Sequence, residues 1–123
     1  MEDKPRELMI TAIVRAAVCE RLAASAKSAR KETFFTVGLL SVLDALLDRP
    51  MSEAVDQLPL WDEVREALLD RTGPLGDALN CVLAYERSEW DNVDFKDLPG
   101  MTVRGHYLDS VGWARRISDG LMI

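Results

Sequence analysis

The residues able to do chemistry are few and scattered. His106 is the single histidine of the chain, so a clustered-histidine metal site cannot be assembled. A nucleophile–His–acid triad would use His106 only if a distant Ser or Cys folded onto it. With Arg104, Tyr107 and Asp109 beside it near a helix start, an exposed or hydrogen-bonded histidine is the expected state. Cys19 and Cys81 stand alone in apolar helical patterns. They lack the spacing of metal ligands or of a CxxC redox pair, and read as small buried hydrophobes. Gly73-Pro74-Leu75-Gly76 has neither the spacing nor the lysine of a phosphate-cradling loop. Carboxylates abound at Asp62-Glu63, Glu86, Glu89 and Asp91. Acid–base work needs a pair whose environments split its pKa values, and these positions read as solvated helix faces and turns. No catalytic, cofactor-binding or metal-ligating residue is assigned, and no cofactor is expected. Trp61, Trp90 and Trp113 lie near helix ends or turns, where capping the core is favoured over anchoring a partner.

The elements that would position these residues read as helices throughout. Pro5 and Glu7 suit a first turn, and Leu8, Ala12, Ala16, Cys19 and Ala23 then recur at helical spacing beside Met9, Ile13 and Ala17. A helix so apolar around its circumference packs on more than one side. The run Lys27 to Lys31 reads as a solvated connection that continues or interrupts it. A second, central helix is expected from Glu32-Thr33 to Arg49, stopped by Pro50. Ser52 is the expected N-cap of a short helix through Leu58, ended by Pro59. Another helix follows from about Asp62 to Asp70, with Val64, Ala67 and Leu68 as its apolar face. Pro74 opens the next, which buries Leu75, Ala78, Leu79, Val82 and Leu83 and frays past Trp90. Asp91 to Gly100 reads as a loop, and a last helix spans Thr102 to Asp119 with Tyr107, Val111, Ala114 and Ile117 at helical spacing. No period-two strand and no repeat is found. The fold class is all-α, a compact multi-helix bundle.

Composition narrows the function classes. At 123 residues and 48% apolar content the chain reads as a single helical domain, residues 1–123. Its net charge of −6 disfavours nucleic acid, because backbone binding needs a concentrated basic face; Arg104, Arg115 and Arg116 give the last helix only local basicity. No apolar run reaches the length of a membrane span. Met1-Glu2-Asp3-Lys4-Pro5 is charged where a signal peptide would turn apolar. A soluble, cytoplasmic chain is expected, with both thiols reduced.

The run Phe34-Phe35-Thr36-Val37-Gly38-Leu39-Leu40-Ser41-Val42-Leu43-Asp44-Ala45-Leu46-Leu47 resembles the central helix of HDOD domains. The likeness continues through Met51 to Leu60, Glu63 to Leu69, Gly73-Pro74-Leu75-Gly76 and Val82 to Trp90. The opening Lys4-Pro5-Arg6-Glu7-Leu8, with Val14-Arg15-Ala16 and Cys19-Glu20, fits as well. The combination is most similar to HDOD domains behind EAL domains in bacterial cyclic-di-GMP-type signalling proteins. It covers Lys4 to Asp119 and looks like the C-terminal part of such a domain, as an excised fragment or a truncated gene product. The resemblance implies an HD-like helical fold and a non-enzymatic signal-transduction or protein-interaction role. Expected partners are other proteins or an adjacent EAL domain.

Two departures bear on that role. HD metal-dependent phosphohydrolases place a His-Asp doublet where this chain has Ser41-Val42. Ser41 is a poor metal ligand and Val42 cannot ligate, so HD-type hydrolysis is not expected here. The further N-terminal helices and the EAL region are absent from the sequence, so cyclic-di-GMP phosphodiesterase activity is not assigned to it. The apolar first and second helices also exceed what a small bundle covers, which predicts self-association, as a homodimer. The competing readings are an HD-superfamily phosphohydrolase and a helical small-molecule-sensing domain.

Overall fold

A computed structural model describes residues 4–121; Met1 to Asp3, part of the charged opening, lie outside the described residues. Seven helices follow one another: α1 (Lys4–Ser25), α2 (Lys31–Leu40), α3 (Leu43–Leu47), α4 (Met51–Asp56), α5 (Asp62–Asp70), α6 (Gly73–Glu86) and α7 (Gly100–Leu121), with a single 3₁₀ turn at Trp90–Asn92. The described residues contain no strand. The all-α bundle expected from periodicity is the fold observed.

α1 is the axis of the bundle. α2, α6 and α7 all pack on it, and Ala16, Val18, Cys19, Leu22 and Ala23 are fully enclosed. The sequence expectation of a helix covered on several sides holds, and Met9 is its one large exposed apolar side chain among the described residues. Lys27, in the left-handed region at φ 61°, ends α1 instead of continuing it. The amides of Lys27 and Ser28 return to the carbonyls of Ala24 and Ala23, which satisfies acceptors the helix end would otherwise leave open. α2 then runs back along α1 at backbone contact. A Cβ on Gly38 would come within 2.5 Å of the Arg15 carbonyl oxygen and 2.7 Å of Ala16 Cα, so only glycine permits this approach.

The expected central helix from Glu32-Thr33 to Arg49 is two helices. It breaks at Ser41-Val42, where the Ser41 hydroxyl donates to the Gly38 carbonyl at 2.7 Å and the Ser41 amide reaches the same oxygen at 3.3 Å. A serine hydroxyl that takes a helix carbonyl competes with the regular ladder. α3 stops at Asp48, left-handed at φ 56°, before Pro50 is reached. α4 also departs from expectation. Pro50 is its N-cap residue, and Ser52 makes no capping bond because it already lies inside the first turn. α5 and its buried Val64, Ala67 and Leu68 fall as read. So does the buried face of α6, including Leu75, Ala78, Leu79, Val82 and Leu83.

α6 ends at Glu86 and does not continue past Trp90. Ser88 turns left-handed at φ 60°, and the Glu89 amide closes back on the Ala84 carbonyl. The loop before α7 is polar as read, but it carries Phe95, which is 2% exposed. Phe95 meets Phe34 edge to face with ring centres 6.1 Å apart and seals the core beneath the loop. No described helix is long and apolar enough to cross a membrane.

Candidate functional site

The break at Ser41-Val42 is also where three helices meet. Arg15 reaches it from the middle of α1, Ser41 from the end of α2, and Glu86 from the last position of α6. The Arg15 guanidinium forms a fork on the Glu86 carboxylate, Nε to Oε2 and Nη2 to Oε1, both at 2.9 Å. Its Nη1 donates to Ser41 Oγ at 3.2 Å. A planar fork on a carboxylate is the strong geometry for this pair. Ser41, 7% exposed, thus accepts from Arg15 and donates its one proton to Gly38. Val42 is buried as well.

The electrostatics of the junction radiate outwards. Tyr107 of α7 stacks on Tyr85 with ring centres 4.4 Å apart. Burial, with the Glu86 charge next, holds its phenol above the ordinary range. Arg71 is pushed down from its usual value by burial first, then by the Arg87 and Arg15 charges. Cys19, enclosed behind Arg15, is raised to about 12 by burial and then by Cys81; Cys81 is raised to about 11 by burial and then by Asp94. Both are free, protonated thiols, poor as nucleophiles or ligands. A cleft of about 490 Å³ opens beside the junction, lined by Ile10, Val14, Glu86, Tyr107, Val111 and Arg115 among others.

The carboxylates read as solvated surface divide. Glu86 is a correction: its side chain is largely covered and held by Arg15. Glu89 and Asp91 are exposed. Glu63 pairs with Arg30 in the open. Among the described residues no three His, Cys, Asp or Glu side chains converge on a point that could hold a metal ion.

His106 has acquired the partner the triad arithmetic required. Ser25, at the end of α1, shares a 2.7 Å hydrogen bond with His106 Nε2. Burial, then Arg21, lowers the His106 pKa, while Asp109 raises it; a neutral imidazole is favoured. The surroundings differ from those of an acyl-transfer site. No hydrogen bond joins Asp109 to the ring among the described residues, and Ser25 sits at the carbonyl end of a helix, where the field disfavours an oxyanion.

The tryptophans also correct the expectation. Trp61 and Trp90 are 70% and 60% exposed and cap no core. Trp61 stands in extended backbone immediately before α5, which turns its ring outward. Trp90 leans edge-on against Tyr85 with ring centres 5.3 Å apart. Trp113 is half-buried on α7.

No protein-family model matches the chain, and no solved structure matches it. Over 92 residues, 74% of its length, the chain is 41% identical to the cyclic di-GMP phosphodiesterase CdgJ of Vibrio cholerae. Over 115 residues, 92% of its length, it is 30% identical to the uncharacterized protein YuxH of Bacillus subtilis. The matched stretch is 21% of CdgJ and 28% of YuxH, so the chain spans about a quarter of the length of these relatives.

Proposed function

We propose that this chain is a non-catalytic HDOD regulatory domain of a cyclic-di-GMP signalling protein, relaying a signal to protein partners or to an adjacent EAL domain in the cytoplasm. The observation that carries the reading is its 41% identity to a stretch of a cyclic di-GMP phosphodiesterase, together with Ser41-Val42 at the position where HD hydrolases carry their doublet. That position is occupied by a hydrogen-bonded hydroxyl, a buried isopropyl group and a guanidinium. The guanidinium is balanced by the Glu86 carboxylate, and neither Ser41 nor Val42 offers the ligand that a His-Asp doublet would. A junction that ties α1, the α2–α3 break and the end of α6 with one arginine suits a relay, because a shift in any of the three elements strains the other two.

The reading is tested by exchange. The matched stretch of CdgJ is replaced with that of this chain, and cyclic-di-GMP turnover by the chimera is measured beside turnover with the stretch deleted. Turnover restored towards that of CdgJ, and altered by Arg15→Leu, supports the relay. A chimera indistinguishable from the deletion overturns it. The isolated chain is assayed in parallel with bis(4-nitrophenyl) phosphate and manganese. Turnover that is lost on Ser41→Ala would overturn the non-catalytic part of the proposal.

A further inference from the structure

The cleft beside the clasp is lined by groups that the chain itself leaves unused. α1 and α7 lie side by side in opposite directions: the end of α1 meets His106 through Ser25, and its beginning meets Ser118 and Asp119 across the cleft. Helical spacing brings Arg6, Ile10 and Val14 to one wall and Tyr107, Val111 and Arg115 to the other. Ile10, Val14 and Val111 make the floor apolar. The space, about 490 Å³, is that of a small organic ligand.

Three hydroxyls border this floor. Ser118 is only 8% exposed, yet its hydroxyl makes no hydrogen bond among the described residues, and neither does that of Thr11 or Tyr107. Ser110 Oγ is the one unpartnered hydroxyl sealed from solvent among them, so Ser118 Oγ still opens on the cleft that Ser118 lines. A hydroxyl with so little access to water and no partner adds nothing to the stability of the free chain. Burial, with the Glu86 charge next, keeps the Tyr107 phenol protonated and therefore a donor.

Two cations join the hydroxyls. Arg6 and Arg115 line the cleft, and neither has an ion-pair partner among the described residues. Two carboxylates stand against them. Glu86 has both oxygens held by Arg15, and Asp119 lies one turn beyond Arg115 on the same helix. With Glu86 neutralised by its fork, two guanidiniums outweigh one carboxylate, in a chain whose net charge is −6. We infer that this cleft binds a small amphiphilic anion, an organic carboxylate or a phosphate monoester. Its oxygens take the Arg6 and Arg115 guanidiniums and the Ser118 hydroxyl, while its apolar body lies on Ile10, Val14 and Val111. Guanidinium forks match both head groups. An occupied cleft joins the first and last helices beside the Arg15–Glu86 clasp. The site stands on the cleft alone, whether or not the chain relays a signal.

Octanoate and phenyl phosphate are the probes. Octanol, a body without the charge, and inorganic phosphate, a head without the body, are the controls. Each is titrated into the full chain by calorimetry and followed by melting temperature. Saturable one-to-one binding of octanoate or phenyl phosphate is expected, with a melting temperature that rises with ligand concentration; the tighter of the two names the head group. The double variant Arg6→Gln with Arg115→Gln should weaken binding by about tenfold or more, because charge-assisted hydrogen bonds are the strong ones. Ser118→Ala should weaken it several-fold while leaving the melting temperature of the free chain unchanged or higher, the reverse of what a serine holding the fold would do. The inference is overturned if neither anion saturates, or if octanol or inorganic phosphate binds as tightly as the two anions. It is equally overturned if binding survives both the double arginine variant and Ser118→Ala.

Discussion

Among the described residues α1 is tied to the rest of the bundle at two polar points, about 15 Å apart along its axis, and both include a serine. At Arg15 the contact is a closed charge clasp: Ser41 is buried, both Glu86 oxygens are taken, and two backbones touch at Gly38. At Ser25 the contact is one hydrogen bond to a half-buried imidazole. By residue type the second point looks the more reactive, since Ser and His can form a nucleophile and base. By environment it is a peripheral strut at the wrong end of a helix for stabilising an oxyanion. The first point offers no nucleophile and controls the relative placement of three helices. Residue chemistry alone therefore ranks the two points in the reverse of their structural weight.

The largest effect expected at either point comes from geometry rather than charge. Gly38→Val would drive side-chain atoms into the α1 backbone, where a Cβ already falls 2.5 Å from the Arg15 carbonyl. Overpacking against backbone costs about 1–3 kcal/mol and can exceed that. Here α1 and α2 would have to separate, so a loss at or above the top of that range is expected in urea unfolding. A loss below about 1 kcal/mol would mean that the helices part easily and that the clasp is not rigid.

Arg15→Met comes next. It leaves the Glu86 carboxylate without its fork in a site where the two side chains are 17% and 20% exposed. Breaking a fully buried pair costs about 3–5 kcal/mol; partial solvent access should reduce this to about 2–3 kcal/mol. The double variant Arg15→Met with Glu86→Leu should recover part of the loss, because no charge is then stranded. Equilibrium unfolding of the two singles and the double measures that coupling. A double variant as unstable as the sum of the singles would reduce the clasp to two independent surface residues.

How much of this could be read beforehand follows the range of each interaction. α5, and the buried face of α6, are local statements about periodicity and were readable as such. The sequence leaves the end of α1 open between Lys27 and Lys31; a single left-handed lysine decides it. The break at Ser41 was hidden in a leucine-rich run because serine is tolerated in a helix, and what breaks it is a hydroxyl locked by Arg15 from another helix. Glu86 looked like surface because its partner lies 71 residues away. Phe95 was a lone aromatic in a polar loop, and only the open end of the core beneath that loop explains its burial. Ser25 carries no signal of its own in the sequence. A general condition, that a distant serine or cysteine reach His106, was the sole signal for it.

The smallest effect belongs to the Ser25–His106 strut, and it is separable by pH. Burial and Arg21 lower the folded-state pKa of His106 while Asp109 opposes them. The unfolded histidine titrates near 6.5 and so binds its proton before the folded one does. Stability must therefore be fully present above about pH 6.5 and decline as pH falls from there through the folded-state value. His106→Gln should remove that decline while leaving stability at neutral pH within about 1 kcal/mol. Ser25→Ala, which deletes one partly covered hydrogen bond, should cost about 0.5–1.5 kcal/mol. Melting curves from pH 5 to pH 8 carry both tests. If His106→Gln kept the acid decline, the pH dependence would belong to carboxylates elsewhere. If Ser25→Ala cost as much as Arg15→Met, the two points would hold α1 equally and the contrast between them would fall.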